Sequence, residues 1–237
     1  MTKKRILITG ATSGIGEATF KHAVKNGHTV FITGRNESVL EKLASENPGT
    51  FYLKTDVTNV EDVKNLSISV IEKMGGIDVL MNNAGLGIFD RLIDSNLEDW
   101  HKMVDVNIKG VLNMLHYFLP HLIESNGQVI NLGSVASHHV FPDTGVYCAT
   151  KHAVLAISES LRAELSKKIR VTTISPGSVN TPFIYQTKNG EVLSKFKPSF
   201  ESGMSPEWVA SQIMNTIEIE DGMNISEIIV RPFQIKK

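Results

Sequence analysis

Ser134, Tyr147 and Lys151 are the residues whose types and spacing point most directly to chemistry. If Tyr147 and Lys151 lie on a helix, their four-residue spacing places both side chains on one face, one turn apart. A phenol ordinarily ionises at about pH 10, and a nearby ammonium favours the phenolate and lowers that pKa. Tyr147 is therefore a candidate acid or base at neutral pH, with Ser134 as a candidate to hold a substrate oxygen.

A Tyr-x-x-x-Lys pair also occurs by chance, so its meaning depends on the elements around it. Strand-like and helix-like segments alternate along the chain, which predicts an α/β fold with a parallel sheet and helices on both faces. We expect one domain over residues 1–237, with a doubly wound, Rossmann-like sheet of about seven strands. Asn36 and Ser205 are the expected N-caps of two of the helices.

Two segments of the chain are expected to depart from this simple alternation. Residues 96–125 have the pattern of one long helix, with a kink or break at Pro120. Residues 181–204 form the one long irregular piece, which predicts a substrate-binding loop or lid.

A glycine-rich turn follows the first predicted strand, in the sequence TGATSGIG at residues 9–16. At this position in an open α/β sheet, Gly10 would allow a tight turn, and Gly14 and Gly16 would let the backbone approach a pyrophosphate. The N–H groups at the start of the following helix would attract the anion. The alternative is a tight strand–helix turn with no ligand.

The end of the second predicted strand indicates which dinucleotide would bind. A site for NAD usually has an acidic residue here, but this chain has Gly34 followed by Arg35. Because an arginine suits a 2′-phosphate, we expect NADP(H), with an ordinary surface arginine as the alternative. Asp56 ends the third strand and could accept from the adenine amino group, and residues 82–85, NNAG, end the fourth.

Composition excludes several other classes of protein. The 237 residues have a formal net charge of -1, which gives no electrostatic case for nucleic acid or an acidic membrane surface. Cys148 is the one cysteine, so an internal disulfide is impossible, and the eight histidines show no metal-ligand spacing. We therefore expect no metal. No apolar run is long enough to span a membrane and no signal peptide begins the chain, so we expect a cytoplasmic protein.

Taken together, these motifs resemble the short-chain dehydrogenase/reductase family, in its subgroup of chains close to this one in length. The resemblance covers almost the whole chain. It includes the glycine turn, Asp56, residues 82–85, Asn107, Ser134, Tyr147 with Lys151, and Pro176-Gly177 followed by Thr181.

The resemblance implies a role for each of these positions. Tyr147 would be the general acid–base, and Ser134 would bind the carbonyl or hydroxyl oxygen. Lys151 would bind the nicotinamide ribose and lower the proton affinity of Tyr147, while Asn107 would place a water that links Lys151 to solvent. Thr181 would anchor the nicotinamide carboxamide, and the pro-S hydride would be the one transferred.

The resemblance also implies a set of residues that contact NADP(H). They are Gly10, Thr12, Ser13, Gly14, Ile15, Gly16, Arg35, Asp56, Val57, Asn83, Ala84, Gly85, Tyr147, Lys151, Pro176, Gly177, Val179 and Thr181.

The glycine turn, the basic residue after the second strand and the end of the chain resemble a bacterial NADP-dependent branch that acts on 3-hydroxy acids such as serine and on small aldehydes or ketones. The expected substrate is thus a small alcohol or carbonyl compound. The alternatives are a 3-oxoacyl reductase, a non-catalytic NADP(H)-binding sensor, and an epimerase or dehydratase, for which the chain lacks room. The family implies a homotetramer, or a dimer, formed through the long helix and the Tyr147 helix.

Several residues near these motifs have more than one interpretation. His138 and His139 could contact an acidic substrate or be plain loop residues. Phe141, Phe183 and Tyr185 could line a pocket or make ordinary packing contacts, and Cys148 is expected to be a packed small residue.

Overall fold

The computed structural model describes residues 2–220 and 222–233. Seven strands form one sheet in the order β3-β2-β1-β4-β5-β6-β7, and every neighbouring pair is parallel. The strands are β1 (Arg5–Thr9), β2 (Thr29–Gly34), β3 (Phe51–Lys54), β4 (Val79–Asn82), β5 (Gln128–Leu132), β6 (Arg170–Pro176) and β7 (Glu227–Val230). The predicted single-domain, doubly wound, Rossmann-like sheet is confirmed.

Helices cover both faces of the sheet. They are α1 (Gly14–Lys25), α2 (Glu37–Glu46), α3 (Val60–Met74), α4 (Leu97–Val104), α5 (Gly110–Glu124), α6 (Gly145–Leu165), α7 (Gly190–Glu201) and α8 (Pro206–Ile217). Both predicted N-caps are confirmed: Asn36 Oδ1 accepts from Val39 N at 3.3 Å, and Ser205 Oγ accepts from Trp208 N at 3.1 Å.

Two apolar layers hold these helices to the sheet. Because side chains alternate along a strand, Ile6 and Ile8 of β1 face α1, α2 and α8, while Leu7 faces α3, α5 and α6. Phe20 of α1 and Phe118 of α5 are fully buried in the two layers. Burial of both faces explains why the strands are nearly continuous apolar runs.

The expected long helix over residues 96–125 is interrupted, but not at Pro120. Five residues, Asp105–Lys109, form a π-helical turn between α4 and α5. The predicted break at Pro120 is wrong, because α5 continues through this residue to Glu124, and the alternative of a kink there stays a prediction. Pro120 lies on the exposed side of α5. Because proline has no N–H, the carbonyl group one turn earlier in the helix has no helical partner, and on this side it can bond to water.

Residues 181–204 are not irregular, which corrects a second expectation. They contain a short 3-10 helix, Pro182–Gln186, followed by α7. Asn189 caps α7 by accepting from the backbone N–H groups of Glu191 and Val192, and apolar side chains of α7 pack inward. A bridge between Val179 and Met204 holds the two ends of the segment together.

In the described part of the chain, no helix is long and apolar enough to cross a membrane.

Gly16 is required where α1 passes close to the turn after β1. A Cβ atom on Gly16 would lie 2.4 Å from both Asn83 Nδ2 and the carbonyl oxygen of Gly10. We expect Gly16→Ala to lower the free energy of unfolding by at least about 2 kcal/mol, because overpacking forces the backbone apart. Urea unfolding would measure the loss.

Gly190→Ala is the matched control, because Gly190 also lies on a helix and a Cβ atom there would meet nothing within 4 Å. We expect this variant to be as stable as the wild type or more stable by up to about 1 kcal/mol. Equal stability of the two variants would contradict the close packing of α1.

Candidate active site

A cleft of about 430 Å³ is lined by residues that follow the first six strands of the sheet. The strand order reverses between β1 and β4, and in open α/β sheets ligands bind where the carboxyl ends of the strands separate in this way. Nearly all residues singled out from the sequence meet in this cleft. They are Gly10, Thr12, Ser13, Gly14, Ile15, Arg35, Asp56, Val57, Asn83, Ala84, Gly85, Ser134, Tyr147, Lys151, Pro176, Gly177, Val179 and Thr181.

Gly16 and Asn107 are two predicted site residues that do not line the cleft. Gly16 lies against the inner side of the turn, near Gly10 and Asn83. Asn107 is 1% exposed and supports the loop after β4 from behind. Both residues therefore act on the shape of the walls.

Thr9 joins β1 to the loop after β4 at the point where the strand order reverses. Its hydroxyl oxygen accepts from the backbone N–H groups of Asn83 and Ala84, each at 3.0 Å, and donates to the carbonyl oxygen of Met81. Asn83 Nδ2 donates in turn to the carbonyl oxygens of Thr9 and Gly10. Gly10 has a φ of +63° and approaches Ala84 too closely for a Cβ atom.

The turn before α1 and the loop after β2 present positive charge to the same cleft. The side chain of Ser13 makes no capping hydrogen bond to α1, so the first N–H groups of this helix are left for another acceptor. Arg35 is exposed and lines the cleft, next to Gly34, against which Thr12 packs. These donors fit a pyrophosphate and a further phosphate of a dinucleotide.

Asp56 lines the cleft with part of its carboxylate already engaged. Its Oδ1 accepts from the backbone N–H and the hydroxyl of Thr58, at 2.9 and 2.8 Å. The contact with an adenine amino group stays a prediction, which now depends on Oδ2.

Ser134 is fixed by a short helical turn, Val135–Ser137, which follows β5. Its Oγ accepts from Ala136 N at 3.1 Å, and its own N–H donates to Ser137 Oγ at 3.2 Å. The Ser134 hydroxyl donates to the carbonyl oxygen of Pro176 at 3.4 Å. Ser134 and Tyr147 both line the cleft, as the binding of a shared substrate oxygen requires.

Tyr147 and Lys151 lie on α6 at the expected spacing, but they do not bond to each other in the way that the spacing suggests. Lys151 Nζ donates to the carbonyl oxygen of Leu132 at 2.7 Å and lies 5.9 Å from the centroid of the Tyr147 ring. Tyr147 is 8% exposed and Lys151 is 5% exposed. Both groups are therefore largely removed from water.

Burial dominates the titration of both side chains. It raises the pKa of Tyr147 to about 12, although the polar side chain of Ser134 acts in the opposite direction. It also lowers the pKa of Lys151 to about 8. The expected lowering of the Tyr147 pKa by Lys151 is not found in this structure, because desolvation of the phenolate outweighs the effect of a distant ammonium.

Asn107 is positioned by the π-helical turn. Its Oδ1 accepts from Leu86 N at 2.8 Å, and its Nδ2 donates to Leu86 O at 2.8 Å and to Thr150 Oγ1 at 2.9 Å. A Cβ atom on Gly85 would come within 3.6 Å of Asn107 Oδ1 and 3.7 Å of Lys151 Nζ. The ordered water expected between these two groups stays a prediction.

Aromatic rings form the end of the cleft nearest Tyr147. Phe141 and Phe183, which the sequence suggested, line it together with Phe89, Phe196 and Phe200. Sequence reasoning missed these last three. The four-residue spacing of Phe196 and Phe200 could have revealed an apolar helix face, had residues 190–201 been recognised as a helix.

Other candidates near Ser134 lie outside the lining of the cleft. Tyr185 is 53% exposed, and its hydroxyl donates to Glu201, so of its two interpretations the place in the pocket is wrong. His138 pairs with Glu227 at 2.8 Å, and His139 packs edge-on near Phe141. Cys148 is fully buried, as a packed small residue should be.

Within residues 2–220 and 222–233, no cluster of His, Cys, Asp and Glu side chains could hold a metal ion.

Comparison with known proteins identifies the family. Residues 4–191 match the model of the short chain dehydrogenase family. The chain belongs to this family. An uncharacterized oxidoreductase of Staphylococcus saprophyticus is 37% identical over 235 residues, which cover 97% of this chain and 96% of the relative. Relatives and motifs together make this chain an oxidoreductase of the short-chain dehydrogenase family.

Solved structures of similar proteins contain both kinds of nicotinamide dinucleotide. An alcohol dehydrogenase from the archaeon Thermococcus sibiricus, complexed with 5-hydroxy-NADP, has a TM-score of 0.89 and 31% identity over all of both chains. A closed serine dehydrogenase with NADP+ has a TM-score of 0.90 and 30% identity, covering 98% of this chain and 99% of its own. A 3-ketoacyl-(acyl-carrier-protein) reductase from Brucella melitensis with NADH has a TM-score of 0.87 and 28% identity, covering 96% of each chain.

The buried charge of Lys151 should make stability depend on pH. Burial lowers the pKa of Lys151 from 10.5 to about 8. In the pH window between these two values, the folded protein therefore binds fewer protons than the unfolded chain. Wild-type stability therefore gains from this group as the pH rises through the window. At a pH below this window, burial of the charged ammonium lowers the free energy of unfolding by about 3 kcal/mol. Lys151→Met removes that cost and loses one hydrogen bond, which is worth about 1 kcal/mol.

We expect Lys151→Met to be more stable than the wild type at neutral pH. This advantage should shrink by about 2 kcal/mol by about pH 9.5. Urea unfolding at several pH values would measure it, with Lys21→Met as the control, because the Lys21 side chain is 58% exposed. A stability difference that stays constant across this pH range would contradict the lowered pKa.

Proposed function

We propose that this protein is an NADP(H)-dependent oxidoreductase that interconverts a small alcohol and the corresponding ketone or aldehyde. The observation that supports it most is that Tyr147 and Ser134, both largely buried, line one cleft together with the glycine turn. Two hydroxyl groups converge there on the place where one substrate oxygen would bind.

Tyr147 would act as the general acid in the direction of reduction. With a pKa of about 12, its phenol is protonated at neutral pH and can donate to the carbonyl oxygen. Ser134 would hold that oxygen through its hydroxyl and stabilise the charge that develops on it. In oxidation, Tyr147 would accept the proton of the alcohol only in its phenolate form, which a pKa of about 12 makes scarce at neutral pH.

The dinucleotide would lie along the predicted contact residues between the glycine turn and Thr181. When bound, its nicotinamide supplies the hydride for reduction or accepts it in oxidation. Lys151 would bind the ribose hydroxyls, which requires its ammonium to exchange some of its contact with Leu132. Asn107 would hold the loop at Leu86 beneath this site.

NADP(H) rather than NAD(H) is supported by the residues after β2. Gly34 leaves the strand end without a carboxylate, and the guanidinium of Arg35 follows it on the exposed rim of the cleft. An acidic side chain would repel a 2′-phosphate, whereas a guanidinium can bind it through two charge-assisted hydrogen bonds.

Replacing Tyr147 with phenylalanine tests the assignment of the acid–base group. We expect Tyr147→Phe to lower kcat/KM for carbonyl reduction by about 100-fold or more, the usual contribution of a general acid. The Kd for NADPH should change little. The measurement is oxidation of NADPH with a panel of aldehydes, ketones, 3-oxo acids and 3-oxoacyl thioesters, beside oxidation of serine and other 3-hydroxy acids.

Tyr117→Phe is the matched control, because Tyr117 packs on α5 against the core and does not line the cleft. It should keep wild-type turnover. Near-full activity of Tyr147→Phe would rule out Tyr147 as the acid–base group.

Replacing Arg35 with glutamine tests the choice of cofactor. Since charge-assisted hydrogen bonds are worth about 1.5–3 kcal/mol, we expect Arg35→Gln to raise the Kd for NADPH at least about tenfold. The Kd for NADH should stay the same, and fluorescence titration would measure both. Arg91→Gln, at a 53% exposed arginine outside the cleft, controls for loss of charge. Equal binding of NADH and NADPH by the wild type would refute the role of Arg35.

Two alternatives predict different results in the same assays. A 3-oxoacyl reductase would prefer the thioesters in the panel. A cofactor-binding sensor would bind NADPH and show no Tyr147-dependent turnover. The complete set of Asn107, Ser134, Tyr147 and Lys151 favours catalysis over the sensor.

The homotetramer also stays a prediction. Leu97 on α4 and Leu112 on α5 are 60% and 46% exposed, and contacts between copies through the long helix would cover them.

A further inference from the structure

The end of the cleft beside Tyr147 is walled by a connected set of phenylalanines, which we call the aromatic wall: Phe89, Phe183, Phe196 and Phe200. Phe89 is at its centre, with its ring centroid 5.4 Å from that of Tyr147 and 5.1 Å from that of Phe196. Phe183 lies 5.6 Å from Tyr147 and stacks on Phe200 at 6.1 Å. A substrate held at Tyr147 would therefore contact several rings.

Packing of the surrounding backbone fixes the position of this wall. A Cβ atom on Gly87 would lie 2.2 Å from Cζ of Phe183, so the ring of Phe183 occupies the space that a side chain would need there. Phe196 and Phe200 are one turn apart on α7 and face the same side. Phe89 is 4% exposed, and its N–H donates to Thr187 Oγ1 at 3.1 Å.

Charged side chains are sparse in the lining of the cleft. Among the described residues, only Arg35, Asp56 and Lys151 contribute charge to it. Arg35 and Asp56 follow β2 and β3, which β1 and β4 separate from the strands that lead to Ser134 and Thr181. Lys151 is 5% exposed and is bonded to Leu132.

The lysines on the outside of the aromatic wall are already paired. Lys195 lies 5.4 Å from the ring of Phe196 and forms an ion pair with Asp143. Lys188 bonds both carboxylate oxygens of Asp99, at 2.8 and 2.9 Å. Neither lysine lines the cleft, where the polar neighbours are the uncharged Thr144, Ser178 and Gln186.

A carboxylate next to the aromatic wall would lose its water without gaining a cationic partner. Such desolvation costs several kcal/mol, whereas an aryl or alkyl group gains about 25 cal/mol per Å² of apolar surface that it buries. The partly exposed rings of Phe183, Phe196 and Phe200 offer that surface.

We propose that the substrates of this site are neutral carbonyl compounds with an aryl or alkyl group, and the corresponding alcohols, rather than 3-oxo or 3-hydroxy acids. The inference rests on the proposed function and narrows its substrate class. The aromatic wall binds the apolar group, and Ser134 and Tyr147 bind the oxygen.

Two ketones that differ only in one charge test this class directly. Methyl 4-acetylbenzoate is neutral, and 4-acetylbenzoate carries a carboxylate on the same ring. We expect kcat/KM with NADPH to be at least about tenfold higher for the ester than for the acid. Serine, as a charged hydroxy acid, should be a poor substrate with NADP+.

Binding of the same two ketones to the protein saturated with NADP+ gives a readout that does not depend on turnover. Calorimetry should give a Kd at least about tenfold lower for the ester. If neither these ketones nor any other compound of the panel shows Tyr147-dependent turnover, the proposed function fails. The ratio of the two Kd values would still decide which class of compound the site binds. Equal or tighter binding of the acid, or faster turnover of the acid, would overturn the inference.

Variants of the wall separate its role from general stability. Phe183→Ala should raise the KM for methyl 4-acetylbenzoate more than that for acetaldehyde, which is too small to reach several rings. Tyr185→Ala is the matched control, because it removes an exposed aromatic side chain from the same short helix, outside the cleft.

Phe196→Lys places a cation in the aromatic wall, where it can pair with a carboxylate. We expect this variant to lower the ratio of kcat/KM for the ester to kcat/KM for the acid at least about threefold. An unchanged ratio in Phe196→Lys, with the fold intact by circular dichroism, would contradict the location of the site.

Discussion

The hydrogen bond from Lys151 Nζ to the carbonyl oxygen of Leu132 joins the helix of Tyr147 to the end of strand β5. It places an ammonium and a phenol inside the protein, where burial acts against the charged form of each. Such an arrangement is unfavourable by itself, and the two apolar layers around the sheet must offset it. Under the proposed function, what the protein gains is a proton donor in the same cleft as Ser134.

The residues around this pair replace water with fixed polar partners. Asn107 bonds the loop at Leu86 and the hydroxyl of Thr150, and Thr150 donates in turn to the carbonyl oxygen of Tyr147. From β1, on the other side of the point where the strand order reverses, the hydroxyl oxygen of Thr9 accepts hydrogen bonds from the loop after β4. The loop after β4 is thus bonded to strand β1 and to the helices beside it rather than to solvent, which keeps the distances between the groups of the site fixed.

The two ends of the cleft differ in chemistry. The end formed by the glycine turn, Arg35 and Asp56 is polar and charged, as a dinucleotide requires. The opposite end is made of phenylalanines, and two of them, Phe196 and Phe200, come from α7. The match to the family ends at residue 191, so most of α7 lies beyond it.

Local sequence patterns were sufficient to determine the alternation of strands and helices, the parallel sheet, the N-caps at Asn36 and Ser205, and the meeting of the motif residues at one sheet edge. The elements and caps follow from side-chain periodicity or from turn chemistry between neighbours in the chain, whereas the meeting of the motif residues was implied by the resemblance to the family. The π-helical turn at Asp105–Lys109, the helix α7 and the place of Phe89 were decided only by the tertiary structure, since each depends on distant side chains that pack there. The pKa of Tyr147 belongs to the same group: the spacing to Lys151 predicted a lower value, but burial by the whole fold raises it.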